Sequence, residues 1–247
     1  MNDIYELTIE SAELELVVTE GFVDKTKSTA SKIIEKLKVF IKKCIVFIKD
    51  KCAKFIKFVE KLAHKLAHIN EMDDDRYIDV PMCIILDESA KTVVSIENKV
   101  KHIIEKLKRN VDVDEKDFDF SEERPKIGYT LLTDKRSILV REAKKEILTT
   151  LSYIHNKNDN IAFTITGLSN EILKLEKSIS DSNTPLINKQ ITVIQKLITI
   201  EQSVLSYNNK TVEKCLELVK KIGNKKLKDE VATAKQIEDR VTKPVLK

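Results

Sequence analysis

The chain has 247 residues, of which 34% are charged, and it contains only four glycines, four prolines and no tryptophan. A sequence rich in Lys, Glu, Ile and Leu with so few helix breakers is typical of long helices. So few glycines leave little material for a phosphate-binding loop, and no stretch is apolar enough to span a bilayer. The four cysteines form no CxxC pair, which favours a reduced, intracellular setting.

The charges are grouped in blocks, although the net charge is only +4. Residues 1–24 carry seven acids and no base, residues 25–69 carry 13 Lys and three acids, and residues 71–123 carry 16 acids and eight bases. One interpretation is that the acidic flanks neutralise the basic block within one chain. The other is that the basic block contacts an external anion, either nucleic acid or a lipid surface.

Residues 1–24 form an acidic leader segment. Tyr5, Leu7 and Ile9 alternate with other residues as in a strand, whereas the Ala, Glu and Leu content favours a helix. We predict a helix that ends at Gly21.

The most distinctive segment is residues 28–69, called here the basic helix. Its apolar residues recur at steps of three and four, so they share one helix face while lysines occupy the other. We predict one continuous helix, roughly 60 Å long, with its apolar face buried. That face contains Ile33, Leu37, Phe40, Ile41, Cys44, Ile48, Cys52, Phe55, Ile56, Val59, Leu62, Leu66 and Ile69. The predicted face for an anion or a partner contains Lys32, Lys36, Lys42, Lys43, Lys49, Lys54, Lys57, Lys61 and Lys65.

The middle of the chain is predicted to contain one helix between two irregular segments. Residues 70–87 are an irregular connector, and Asp87 caps a second helix that runs to about Asn110. Residues 25–110 therefore hold the basic helix and a second helix. Residues 111–128 are acidic and irregular, and we predict that they link the two halves of the chain.

Residues 129–247 are predicted to form an antiparallel bundle of four or five helices. Apolar spacing predicts a first helix through Leu139 and Ile154 and a second from Ile161 to Ile179. The remaining helices are predicted at 185–207, 211–222 and 226–242. The predicted fold is therefore all-α, a long amphipathic basic helix followed by a C-terminal helical bundle.

No motif predicts a catalytic, metal or cofactor site. His64 and His68 share a helix face, but Lys65 stands where a zinc protease needs its Glu. Asp73, Asp74, Asp75 and Asp79 lack the glycine and distal Glu of a calcium loop. An enzyme whose site is assembled from scattered residues remains open as an alternative.

The N-terminal layout resembles that of internal or minor virion proteins of large tailed bacteriophages. The residues that carry this resemblance are the acidic leader, the basic segment after it, and Val18-Thr19-Glu20 before Gly21 at their junction. In that class a prohead protease removes such a leader after an aliphatic residue, any residue and Glu. The resemblance implies processing at Val18, Glu20 and Gly21, and a packaged protein whose basic N-terminus faces DNA.

We therefore expect a non-enzymatic structural or interaction protein, a phage virion or internal head component located in the virion or the host cytoplasm. Its expected partners are other virion proteins, further copies of itself, or DNA bound without sequence preference, and no small-molecule substrate is evident. The alternative is a protein that binds an anionic membrane surface by inserting the apolar face of residues 28–69.

Overall fold

The computed structural model describes residues 31–46, 62–64, 66, 75–180 and 184–223, and it confirms the all-α class. The long helices are α1 (31–46), α2 (Leu86–Lys108), α3 (Val140–Ser178) and α4 (Thr184–Gly223). The strands are β1 (Tyr77–Pro81) and β2 (Lys135–Leu139). Short helical turns occupy Met82–Ile84, Glu115–Phe118, Glu123–Pro125, Lys126–Thr130 and Leu131–Thr133.

The part of the basic helix that the structure describes is helical and amphipathic as predicted. In α1 the predicted apolar residues from Ile33 to Cys44 are all buried, and Leu62 and Leu66 are buried as well. Residues 47–61 and 67–69 lie outside the described residues, so the continuity of the helix stays a prediction.

The predicted irregular connector at 70–87 contains a strand, which is a correction to the sequence analysis. Strands β1 and β2 pair antiparallel, with Ile78 opposite Ile138. The amide of Val140 donates to the carbonyl of Arg76 at 2.8 Å, so α3 starts directly where the pairing ends. The segment of β1 is too short to predict a strand by itself. Its partner strand lies more than fifty residues away, so the pairing that makes it a strand is a tertiary contact.

The helices predicted after residue 134 merge into two. Helix α3 runs through the polar residues 156–160 without a break, and α4 runs through residues 207–211 in the same way. Both polar stretches were read as helix ends because polar residues are usually exposed. In the structure each stretch turns an asparagine side chain into the interior, and the two asparagines, Asn158 and Asn208, bond to each other. The predicted helix at 226–242 lies outside the described residues.

The predicted acidic linker at 111–128 packs against the rest of the protein. Val113, Phe120 and Ile127 are buried and belong to the same hydrophobic core as α1, α2, α3 and α4. Glu123 is also buried and bonds to Lys99 of α2 at 2.8 Å. The segment is therefore part of the folded core rather than an extended connection, while the domain boundaries themselves stay predictions.

The start of α2 also differs from the prediction. The helix begins at Leu86, and Ile85 rather than Asp87 occupies the N-cap position. The Leu86 amide donates to the Glu146 carboxylate of α3 at 3.1 Å. A side chain from a neighbouring helix thus satisfies one of the free amides that a local cap would otherwise satisfy. No helix in the described part of the chain is both long enough and apolar enough to cross a bilayer.

Candidate functional site

Four predicted site lysines lie together on the outer side of α1. Lys32, Lys36, Lys42 and Lys43 are exposed, and we call them the basic face. They point outward because the opposite side of the helix is buried in the core. Lys49, Lys54, Lys57, Lys61 and Lys65 lie outside the described residues, and so do Val18, Glu20 and Gly21 of the predicted processing site.

Lys38 of α1 is turned aside from the basic face and is held by carboxylates. Its ammonium lies 3.0 Å from Glu35 and 3.0 Å from Glu176 of α3. These hydrogen bonds, the one to Glu176 first, raise the pKa of Lys38. The ion pair between Lys38 and Glu176 joins α1 to α3, and the lysines of the basic face remain exposed.

Several described acids of the second acidic block pair with cations outside α1. These ion pairs are Asp75–Arg141, Glu88–Lys91, Glu97–Lys157, Asp112–Lys189, Asp117–Lys106 and Glu123–Lys99. These carboxylates therefore serve contacts within and among the other elements. Neutralisation of the basic face by the acidic leader stays a prediction, because residues 1–24 lie outside the described part.

The metal candidates of the sequence are not assembled where the structure shows them. Asp75 is exposed and pairs with Arg141 at 3.0 Å, Asp79 is exposed on β1, and His64 is exposed on its helix. His68, Asp73 and Asp74 lie outside the described residues. Among the described residues no group of three or more His, Cys, Asp or Glu side chains could hold a metal ion.

The interior of the helical part contains polar and charged side chains that the sequence analysis missed. We call five of them the polar layer: Glu97 of α2, Lys157 and Asn158 of α3, and Glu201 and Asn208 of α4. Asn158, Glu201 and Asn208 are buried, and the side chains of Glu97 and Lys157 are only 16% and 14% exposed. A polar group in such a position is costly unless it has a partner.

Two pairs satisfy most of the polar layer. The Lys157 ammonium lies 2.5 Å from Glu97, which makes a largely buried ion pair between α3 and α2. It also lies 5.2 Å from the centre of the Tyr153 ring, close enough for a cation–π contact. The Asn208 amide donates to the Asn158 carbonyl oxygen at 2.7 Å and joins α4 to α3.

Glu201 is the exception in the polar layer. Only 4% of the residue is exposed, and no hydrogen bond or ion pair joins its carboxyl to any other described residue. Burial, followed by repulsion from Glu97, raises the pKa of Glu201 to about 8. The carboxyl is therefore mainly protonated at neutral pH, which relieves the cost of burying it.

The buried cysteines do not form a reactive site. Cys44, Cys83 and Cys215 are buried and form no disulfide, and Cys52 lies outside the described residues. Burial raises the pKa of the Cys83 thiol to about 11 and raises that of Cys215 as well. Because the thiolate is the reactive form, these residues act as small core side chains.

One sequence signal could have revealed the polar layer. The buried residues Ile187, Ile191, Ile194, Ile198, Glu201, Leu205 and Asn208 follow one another at steps of four and three along α4. Glu201 and Asn208 thus occupy positions of the apolar face itself, and Asn158 lies between Ile154 and Ile161 in the same way on α3. A polar residue in phase with an apolar stripe indicates a buried polar partner.

Comparisons with protein-family models, with curated proteins and with solved structures found no match to this chain.

Proposed function

We propose that this protein is a non-enzymatic interaction protein whose basic face binds the phosphate backbone of nucleic acid. One observation carries the proposal. The apolar face of α1 is buried in the core, so Lys32, Lys36, Lys42 and Lys43 project from a helix that the rest of the fold holds in place.

The chemistry of the basic face favours contacts with phosphate over contacts with bases. Lysine is a flexible point charge without the paired donors with which arginine reads guanine. The aromatic Phe40 is buried in the core and is not available to stack on bases. Binding of this kind has no sequence preference and weakens steeply as salt rises.

The burial of the apolar face of α1 favours nucleic acid over the membrane-surface alternative. Insertion into lipid would need the apolar face, and that face already packs against the protein core from Ile33 to Cys44. Within residues 31–46, only Val39 and Val46 among the large apolar residues are exposed, at 53% and 68%. Two valines bury little area in a membrane, so lipid binding by this part of the helix would be mostly electrostatic.

We place the protein in the virion of a large tailed bacteriophage, where such a surface would contact packaged DNA. The support for this is the leader: residues 1–20 contain six acids, and their removal after Glu20 would change the net charge from +4 to +10. A neutralised precursor would thereby become a protein with a stronger attraction for DNA phosphates. Intact mass of the protein purified from its natural particles tests this placement, since an N-terminus at Gly21 is expected and a full-length chain would contradict it.

The decisive experiment compares two triple variants of equal charge. Lys32→Gln, Lys36→Gln and Lys42→Gln together remove most of the basic face, whereas Lys126→Gln, Lys135→Gln and Lys210→Gln remove three other exposed lysines. Both variants lower the net charge from +4 to +1. Fluorescence anisotropy with a labelled DNA duplex should show a large loss of affinity for the first variant and a small one for the second.

The salt dependence of binding provides a second readout. The slope of log affinity against log salt concentration should decrease in magnitude by about 1 for each phosphate-contacting lysine that is removed. An equal effect of both triple variants would mean that only net charge matters, and would contradict a site on α1. Tighter binding to anionic liposomes than to DNA would favour the membrane alternative instead.

A further inference from the structure

A cleft opens from the surface to the polar layer between α2, α3 and α4. Its volume is about 120 Å³, and the residues that line it include Glu97, Lys101, Asn160, Phe163, Thr164 and Glu201. A water molecule occupies about 30 Å³ in the liquid, so the cleft has room for a small organic group.

The cleft contains a buried acid that has no partner. Glu201 is 96% removed from solvent, lines the cleft, and is bonded to no other described residue. Carboxyl groups in such positions are ordinarily satisfied by hydrogen bonds or by a cation. Its carboxyl is therefore open to a ligand only through the cleft that it lines.

The other charged groups around the cleft do not supply the missing cation. Lys157 is engaged with Glu97 at 2.5 Å. Lys101 is exposed at the rim, and its ammonium forms no ion pair with either carboxylate. Phe163 of α3 also lines the cleft, and its aromatic side chain is 81% exposed. An acid and an exposed phenyl ring that line one cleft suit an alkylammonium ion, because the carboxylate attracts the ammonium group and the ring packs against the alkyl carbons.

We propose that this cleft binds a small primary alkylammonium ion, with its nitrogen on the Glu201 carboxylate and its alkyl chain against Phe163. A free aliphatic amine and the side chain of a lysine on another molecule both carry a primary alkylammonium group, so either could bind. This site is separate from the basic face of α1 and does not depend on nucleic-acid binding.

The site should couple binding to release of a proton. Glu201, with its pKa near 8, holds a proton at pH 7, and a cation requires the ionised form. Other titratable or charged groups near Glu201 are Glu97 and Lys101 on α2 and Tyr153 and Lys157 on α3. On α1 such a group is Cys44, whose sulfur contacts Gln202, the residue after Glu201. Affinity should increase up to about tenfold per pH unit below pH 8 and level off above it, while an alkylammonium of pKa about 10.4 stays charged.

The test is a titration of the full chain with butylammonium chloride, followed by NMR amide shifts and by calorimetry. The expected result is binding that strengthens from pH 6 to pH 9, shifts confined to the residues around the cleft, and release of one proton near pH 7. The neutral analogue 1-butanol should bind at least tenfold more weakly, and potassium chloride at equal ionic strength should give no such shifts. Nα-acetyl-lysine methylamide separates the two sources: binding comparable to butylammonium favours a partner's lysine, and its exclusion favours a free amine.

Three variants make the result specific. Glu201→Gln keeps the shape of the neutral acid and should abolish butylammonium binding and its proton release. Phe163→Ala, at an exposed position, should weaken binding several-fold without loss of folding. Glu213→Gln, an exposed acid on the same helix, should bind as the native protein does. Unchanged binding in Glu201→Gln, equal binding of 1-butanol, or no butylammonium binding at pH 9 would overturn the proposal.

Discussion

Helices α1 and α4 bury faces with the same spacing of three and four residues, yet the chemistry of the two faces differs. The buried face of α1 is entirely apolar from Ile33 to Cys44, whereas that of α4 includes Glu201 and Asn208. An apolar face can pack against many surfaces, because hydrophobic burial has no direction. A buried polar face requires particular partners at particular positions.

The difference suggests separate tasks for the two regions. The apolar contact of α1 fixes a helix whose useful side, the basic face, points outward. The hydrogen bond between Asn208 and Asn158 favours one alignment of α4 against α3, and the Glu201 carboxyl is the group to which the proposed ligand would bind. Four predictions test this comparison.

The largest effect should come from a charge placed in the apolar face of α1. Ile41 is fully buried, so Ile41→Asp should lower the free energy of unfolding by more than about 4 kcal/mol, the cost of an unpaired buried charge. Val39→Asp makes a similar change on the exposed side of the same helix and should cost under about 0.5 kcal/mol. Urea denaturation measures both, and equal effects would mean that α1 is not packed on the core.

The next effect should come from breaking the ion pair of the polar layer. Lys157→Met leaves Glu97 buried without a cation, and it should cost about 3–5 kcal/mol. Lys91→Met breaks the exposed pair with Glu88, whose lysine and glutamate side chains are 75% and 46% exposed, and should cost about 0–1 kcal/mol. Adding Glu97→Gln to Lys157→Met should recover part of the loss, and a further loss would show that the two residues do not interact.

A pH-dependent effect should follow from Glu201. Because its folded pKa is raised to about 8 from an ordinary value of 4.5, the folded state holds a proton that the unfolded state releases. Its contribution to stability is therefore present below pH 4.5, declines as pH rises, and is lost above about pH 8. Glu201→Gln should remove this decline, which amounts to a few kcal/mol. Thermal unfolding between pH 5 and pH 9 measures it, and parallel pH profiles for variant and native protein would contradict a buried Glu201.

The smallest effect should come from the paired amides. Asn208→Leu leaves the Asn158 amide without its partner and should cost about 1–3 kcal/mol. The double variant Asn158→Leu and Asn208→Leu should be more stable than the sum of the single variants implies, because two apolar groups replace two hydrogen-bonded ones. A double-mutant cycle measures the coupling, and strict additivity would mean that the bond contributes nothing.

Much of the fold could be predicted from periodicity. The apolar spacing of α1, α2 and most of α3 and α4 identifies their buried residues, because residues three and four apart share one helix face. Strands β1 and β2 could not be predicted in this way. Each is five residues long, and they are strands only because they pair with each other across a segment that includes α2.

The sequence by itself determined the all-α class, the burial of the apolar face of α1 and, with it, the outward direction of its lysines. Only the tertiary structure decided that residues 156–160 and 207–211 continue their helices. Helix propensity treats Asn158 and Asn208 as poor helix formers, and it does not account for a bond of 2.7 Å between them. The physical reason is that a buried polar group is stabilised by its partner, and the partners of Glu97, Lys157, Asn158 and Asn208 each lie on another helix.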